Sequence, residues 1–115
     1  MIKKDSFMYD EELDRLMVFN NIGDDEKVYG SVNILNLTLD ITTKNRIANL
    51  EIRNVSEYMK SIEKNPEILK NLNNAKINIS QVRGGFVIQI ILYGLNNIEK
   101  IPYTIPTGEK ILISA

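Results

Sequence analysis

The clearest periodic signal lies between residues 37 and 52. Leu37, Leu39 and Ile41 are apolar, and Thr38, Asp40 and Thr42 between them are polar. A period of two turns one set of side chains toward a core and the other toward water. Thr43-Lys44-Asn45 supplies a turn, after which Ile47, Leu50 and Ile52 resume an apolar face with a slip of one position. The pattern predicts a β-hairpin, with a bulge near Ala48-Asn49. Upstream, shorter strands are predicted at Ser6 to Tyr9, Arg15 to Phe19 and Val28 to Ile34, with Gly30 at a bulge or close approach. Asn20 to Lys27 is polar and reads as a loop.

Past residue 54 the period changes. Val55, Met59 and Ile62 stand at helical spacing, with Ser56 as the expected cap and Glu57 in the first turn. Asn65-Pro66-Glu67 is a second start signal, a capping Asn followed by Pro and an acid near the positive helix end. Asn65 precedes a proline and leaves the helical region, so two short helices are predicted over about 56–73, laying one apolar stripe across the sheet. Strands return at Ile77 to Val82, and Arg83-Gly84-Gly85 suits a tight hairpin turn. Phe86 to Tyr93 is apolar at both parities except for Gln89, which predicts a central strand covered on each side. Ile98 to Ile105 reads as another strand, in which Pro102 is restricted to an edge or a strand end. Pro106 to Glu109 is a predicted turn, and Lys110 to Ile113 a closing strand. The expected fold is α+β: a mainly antiparallel β-sheet of hairpins with one or two short helices packed on one face, in a single domain spanning 1–115.

Composition narrows the chemistry more than the fold. With 115 residues, 43% apolar and 25% charged, the chain matches one ordinary globular domain rather than a disordered segment. It has no Cys and no His, which excludes a disulfide framework, a thiolate nucleophile and zinc sites built on those ligands. The start, Met1 to Ser6, is followed by no apolar run of secretory length, and the longest uninterrupted apolar stretch is Ile90 to Tyr93. A membrane-spanning helix needs about 20 such residues. A cytoplasmic protein with no membrane partner is expected. Fourteen basic against 15 acidic residues leave a net charge of −1, so no general field favours nucleic acid. A nucleic-acid reading is confined to a local patch through Lys3, Lys4, Lys27, Lys44 and Arg83.

The densest oxygen ligands are Asp10, Glu11, Glu12 and Asp14, with Asp24, Asp25 and Glu26 second. Hard cations such as Mg²⁺ need convergent carboxylates. Asp10, Glu12 and Asp14 alternate but lack the Gly and terminal Glu of a calcium loop. The plain reading is a solvated turn. The enzymatic alternative is a Mg²⁺-dependent hydrolase with Asp10, Glu12, Asp14 and Asp40 as metal ligands. Arg83-Gly84-Gly85-Phe86 resembles an RNA-binding unit, but a single copy between apolar strands reads as a turn. Thr107-Gly108-Glu109-Lys110 lacks the first Gly and the Gly-Lys-Ser/Thr ending of a phosphate loop. The five tyrosines are not interleaved with cations as a base-stacking face requires, and no Ser–Lys spacing singles out a nucleophile. No catalytic or cofactor-binding residue is assigned.

Tyr9-Asp10-Glu11-Glu12-Leu13-Asp14-Arg15-Leu16, then Leu37 to Ile41 and Ile47 to Ser56, together resemble a small prokaryotic family, domain-of-unknown-function family 2283. Its members show a Tyr-Asp-x-Glu-x-Asp-x-Leu start, an alternating strand ending in Asp, and a Gly-Ile-Glu-Ile-Leu-x-Ala-Ser-like stretch entering a helix. The resemblance covers about residues 7 to 60 and departs at Ala48-Asn49, where the family commonly has Val-Gly. It implies the hairpin and, through members encoded beside small toxin genes, an antitoxin-like partner-binding role; it transfers no catalytic residue. The leading expectation is a non-enzymatic interaction module that self-associates through a sheet edge or an exposed hairpin face, with a homo-oligomer or another protein as partner.

Overall fold

Nine strands, one α-helix and one 3₁₀ helix form within residues 1–106, the residues described by the computed structural model. In chain order they are β1 (Ile2–Lys3), β2 (Phe7–Asp10), β3 (Arg15–Phe19), β4 (Val28–Ile34), β5 (Leu37–Thr42), β6 (Ile47–Arg53), α1 (Val55–Ser61), the 3₁₀ helix (Pro66–Asn71), β7 (Asn74–Val82), β8 (Gly85–Tyr93) and β9 (Ile98–Pro106). The predicted turn after Pro106 and closing strand at Lys110 to Ile113 lie outside the described residues.

The α+β class holds, with the strands divided between two antiparallel sheets. One has six strands in the order β1-β2-β3-β6-β5-β4, and the other has three in the order β7-β8-β9. The larger sheet consists of two three-stranded meanders joined where β3 pairs with β6. The alternation at 37–52 is realised except at Thr42: Leu37, Leu39, Leu50 and Ile52 are fully buried, while Thr38, Asp40, Asn49 and Glu51 are half-exposed. Thr42, read as water-facing, is buried, where its hydroxyl donates to Glu26. Asp40 pairs with Asn49 and Ile41 with Ile47, so Ala48 is the bulged residue.

The inner faces of both sheets and the two helices contribute to one apolar cluster, in which Leu16, Leu39 and Leu50 meet Phe86, Ile88 and Tyr103 with Met59 and Leu69. Removing such side chains from water contributes about 1.5–3 kcal/mol each. Polar ties cross between the sheets as well. Ser6 Oγ donates to Asn74 Oδ1 at 2.6 Å, and the Tyr103 hydroxyl donates to Asn36 Oδ1 at 3.0 Å. The Tyr103 ring stacks on Tyr58 of α1, with centroids 4.7 Å apart and planes within 4°.

Two local readings need correction. Ser56 is not the helix cap: Asn54, in the left-handed region at φ 53, holds that position without a side-chain bond, and Ser56 lies in the first turn. Strand β8 is central in its sheet, but only one face is buried. Val87, Gln89, Ile91 and Tyr93 are half-exposed on the other, flanked by β7 and β9 but covered by no helix. Lys76 lies 5.6 Å from the Tyr93 ring centroid and shields part of it. The second start signal does hold, since Asn65 Oδ1 accepts from the Glu67 N–H at 3.0 Å, although the element it opens is a 3₁₀ helix.

The β7–β8 hairpin turns on Arg83-Gly84, between the paired residues Val82 and Gly85. Gly84 has φ +80, which L residues occupy at a cost of about 1–2 kcal/mol. At Gly85 a Cβ would stand 2.1 Å from the Ile105 carbonyl oxygen and 3.0 Å from the Pro106 Cα. Backbone cannot yield as a side-chain tip can. Gly84→Ala is therefore expected to cost about 1–2 kcal/mol and Gly85→Ala about 3 kcal/mol, read from urea unfolding midpoints. The reverse order would contradict this packing.

Candidate functional site: an acidic turn, a polar groove and an open sheet edge

The acidic turn between β2 and β3 is built by its own carboxylates. Asp10 Oδ1 accepts the Leu13 N–H at 3.2 Å, which closes the turn. Asp14 sits at φ 51 and reaches across 42 positions to the start of α1. Its two oxygens take the Ser56 N–H at 3.1 and 3.2 Å, and one accepts the Ser56 hydroxyl at 2.8 Å. Its carbonyl takes the Val55 N–H at 3.1 Å. A carboxylate on otherwise unpartnered N–H groups at a positive helix end is a cap, here delivered from a distant turn. Glu12 is exposed on the turn, and Asp40 lies elsewhere, on the outer face of the six-stranded sheet, bonded by Ser31 Oγ at 2.6 Å and Asn49 Nδ2 at 3.3 Å. Asp10, Glu12, Asp14 and Asp40 are thus not brought together. Among the described residues no group of three His, Cys, Asp or Glu is placed to hold a metal ion.

Beside this cap runs a groove of about 280 Å³ lined by Tyr9, Glu11, Asp14, Ser56, Lys60, Pro66, Glu67 and Lys70. A second hollow of about 200 Å³, lined by Met1, Ile2, Tyr9, Glu11 and Lys70, shares three of these residues. The groove lines three carboxylates against two ammonium groups, so it offers no cationic field for a phosphate. The Ser56 hydroxyl donates to the Asp14 carboxylate. Burial, followed by the nearby Asp14 and Glu11 carboxylates, pushes the Tyr9 phenol up to about 12. Burial also raises Tyr58 and, more strongly, Tyr103.

The second acidic group contributes a clamp. Glu26 is only 4% exposed despite its charge. It accepts from the Thr42 hydroxyl and pairs with Arg46 at 3.1 Å, while Asp25 pairs with Lys44 at 2.7 Å. The loop before β4 is thereby fastened to the β5–β6 turn, and its buried charge is compensated. Of the cations proposed for nucleic acid, Lys3 and Lys27 adjoin opposite edges of the larger sheet. Five strand spacings, about 24 Å, separate those edges. Lys44 is spent on Asp25, and Arg83 sits on the hairpin turn of the other sheet. No shared basic face joins them.

Exposed apolar surface concentrates at one place. Of the nine large apolar side chains exposed among the described residues, Val28, Tyr29, Val32 and Leu35 fall on β4 and the turn that follows it. Sequence reading identified β4 as a strand but assigned it no role. The signal was present: it contains no Lys, Arg, Asp, Glu or Pro. No family model matches the chain, and neither do the curated proteins or the solved structures. No described helix is long and apolar enough to cross a membrane.

Two outcomes follow from the cap and the tyrosines. Asp14→Ala should lower unfolding stability by about 1–2 kcal/mol, whereas Asp14→Asn, which keeps an acceptor, should recover part of it. Added Mg²⁺ should leave the melting temperature of the parent chain unchanged, and a rise abolished by Asp14→Ala would revive the metal reading. Tyr9 titrates near 10.0 when unfolded and near 12 when folded. The folded state therefore holds a proton that the unfolded state has lost between those values. Stability is full below pH 10.0 and declines as pH rises toward 12. Tyr9→Phe should flatten that decline in denaturant titrations; an unchanged alkaline slope would contradict the assignment.

Proposed function

We propose that this chain is a non-enzymatic protein-interaction module that associates with a second copy of itself through the edge of the six-stranded sheet. The observation that carries this reading is the exposure of Val28, Tyr29 and Val32 on an edge strand without charge, and of Leu35 in the turn that follows it. Sheet edges of that kind are normally blunted or paired. The groove beside α1 supports the same reading by contrast, because its Asp14 carboxylate and Ser56 hydroxyl are bonded to each other at the protein's own helix end. The resemblance of residues 7 to 60 to family 2283 supports a partner-binding role in a prokaryotic cell, and a small toxin is the heterologous partner it suggests.

Sedimentation equilibrium over a concentration series from micromolar to millimolar tests the proposal. A mass rising from monomer toward dimer is expected. A monomer throughout the series would remove self-association.

A further inference from the structure

The reading just given leaves open which edge pairs, and in what register. Among the described residues four strands end the two sheets: β1 and β4 in the larger, β7 and β9 in the smaller. Strand β1 has two residues, one of them Lys3. Strand β7 carries Lys76, and β9 carries Lys100, Pro102 and Pro106. Short length, lysine and proline are the usual protections of an edge. Only β4 has none of them among the described edges, apart from a bulge at its start, between Val28 and Gly30.

The direction of its free hydrogen-bonding groups can be worked out. The Asn36 carbonyl accepts from the Arg53 N–H at 2.9 Å, so Asn36 faces β6 and Leu37, the next residue, faces β4. By alternation Ile34, Val32 and Gly30, the partners of Leu37, Leu39 and Ile41, turn their backbone groups toward β5. Ser31 and Asn33 turn theirs outward. The regular stretch beyond the bulge, Gly30 to Ile34, is centred on Val32.

We propose that β4 pairs antiparallel with β4 of a second copy about a two-fold axis at Val32, joining the two six-stranded sheets into one. The proposal rests on the self-association reading and adds its location and register. In this register Ser31 of each copy exchanges backbone bonds with Asn33 of the other, which uses the outward groups. Val32 meets its own counterpart in a non-hydrogen-bonded pair, where cross-strand side chains approach most closely. Tyr29, at the bulge, and Leu35, in the turn, exposed at 64% and 75%, flank the paired stretch on each side of the axis. Gly30 falls opposite Ile34, and no like charges oppose each other anywhere along the strand. An isologous contact must be complementary to itself, and this segment is. One strand pair is small beside a standard interface, so the dimer should dissociate on dilution.

The chain lacks cysteine, so a single introduced thiol reports one contact. Val32→Cys should form a disulfide-linked dimer under mild oxidation, since facing strand residues lie within disulfide reach. Asn78→Cys, on the exposed edge strand β7, serves as the collision control and should cross-link far more slowly. Asn33→Pro removes an outward N–H while leaving the β4–β5 ladder intact, and should be monomeric at concentrations where the parent is dimeric, with parent-like circular dichroism. A parent chain that is dimeric, with Val32→Cys no faster than Asn78→Cys and Asn33→Pro still dimeric, would overturn the β4 interface and leave self-association standing. A monomeric parent chain would overturn both. If Asn33→Pro fails to fold, the two cysteine rates decide alone.

Discussion

Three strands and two short helices cannot cover one face of six strands. At about 4.8 Å per strand, the larger sheet spans about 24 Å between its outermost strands and the smaller about 10 Å. The helices make up part of the difference on one side, where Lys60 and Lys70 share hollows with Tyr9, Met1 and Ile2. On the other side the cover thins between two neighbouring strands. Leu39 on β5 is 0% exposed, while Val32, its direct partner on β4, is 43% exposed. Both side chains belong to the inner face, and Val32 is only partly covered. The apolar cluster thus thins at the last strand, which it reaches through the half-buried Ile34.

That mismatch also accounts for the uses made of polar groups. Asp14, bonded to the start of α1, fixes the angle at which the helix leaves β6 and therefore which part of the sheet it covers. Glu26 and Asp25, bonded to Thr42, Arg46 and Lys44, fasten the long connection that carries the chain from β3 to the far edge. Of the two acidic groups that suggested ion chemistry, Asp10, Asp14, Asp25 and Glu26 act on the backbone and side chains of their own domain. A carboxylate engaged in this way leaves few lone pairs for an external ligand.

What was legible in the sequence was local. The alternation from Leu37 to Ile52, the bulge at Ala48, the Arg83-Gly84 turn and the Asn65 cap each depend on residues within a few positions of one another. What was not legible depends on distant pairs. Ser56 looked like a cap because Ser commonly is one, but its N–H is served by a carboxylate 42 positions upstream. Burial of Glu26 depends on Thr42 and Arg46, 16 and 20 positions on. Strand β8 read as covered on both sides because apolar composition does not record how many layers a domain contains. The exposure of β4 follows from sheet order and relative sheet width, quantities that no window of sequence holds. Its lack of charge was visible, but gained meaning only once β4 stood at an edge.

Among the described residues β4 is an open edge, and we propose that a second copy closes it. Amide hydrogen exchange, read residue by residue at low and high protein concentration, tests it most directly. Exchange at Ser31 and Asn33 should be fast in dilute solution and slow in concentrated solution, while Val32, already bonded to β5, stays slow in both. Exchange at Ser31 and Asn33 that is fast at every concentration would contradict it.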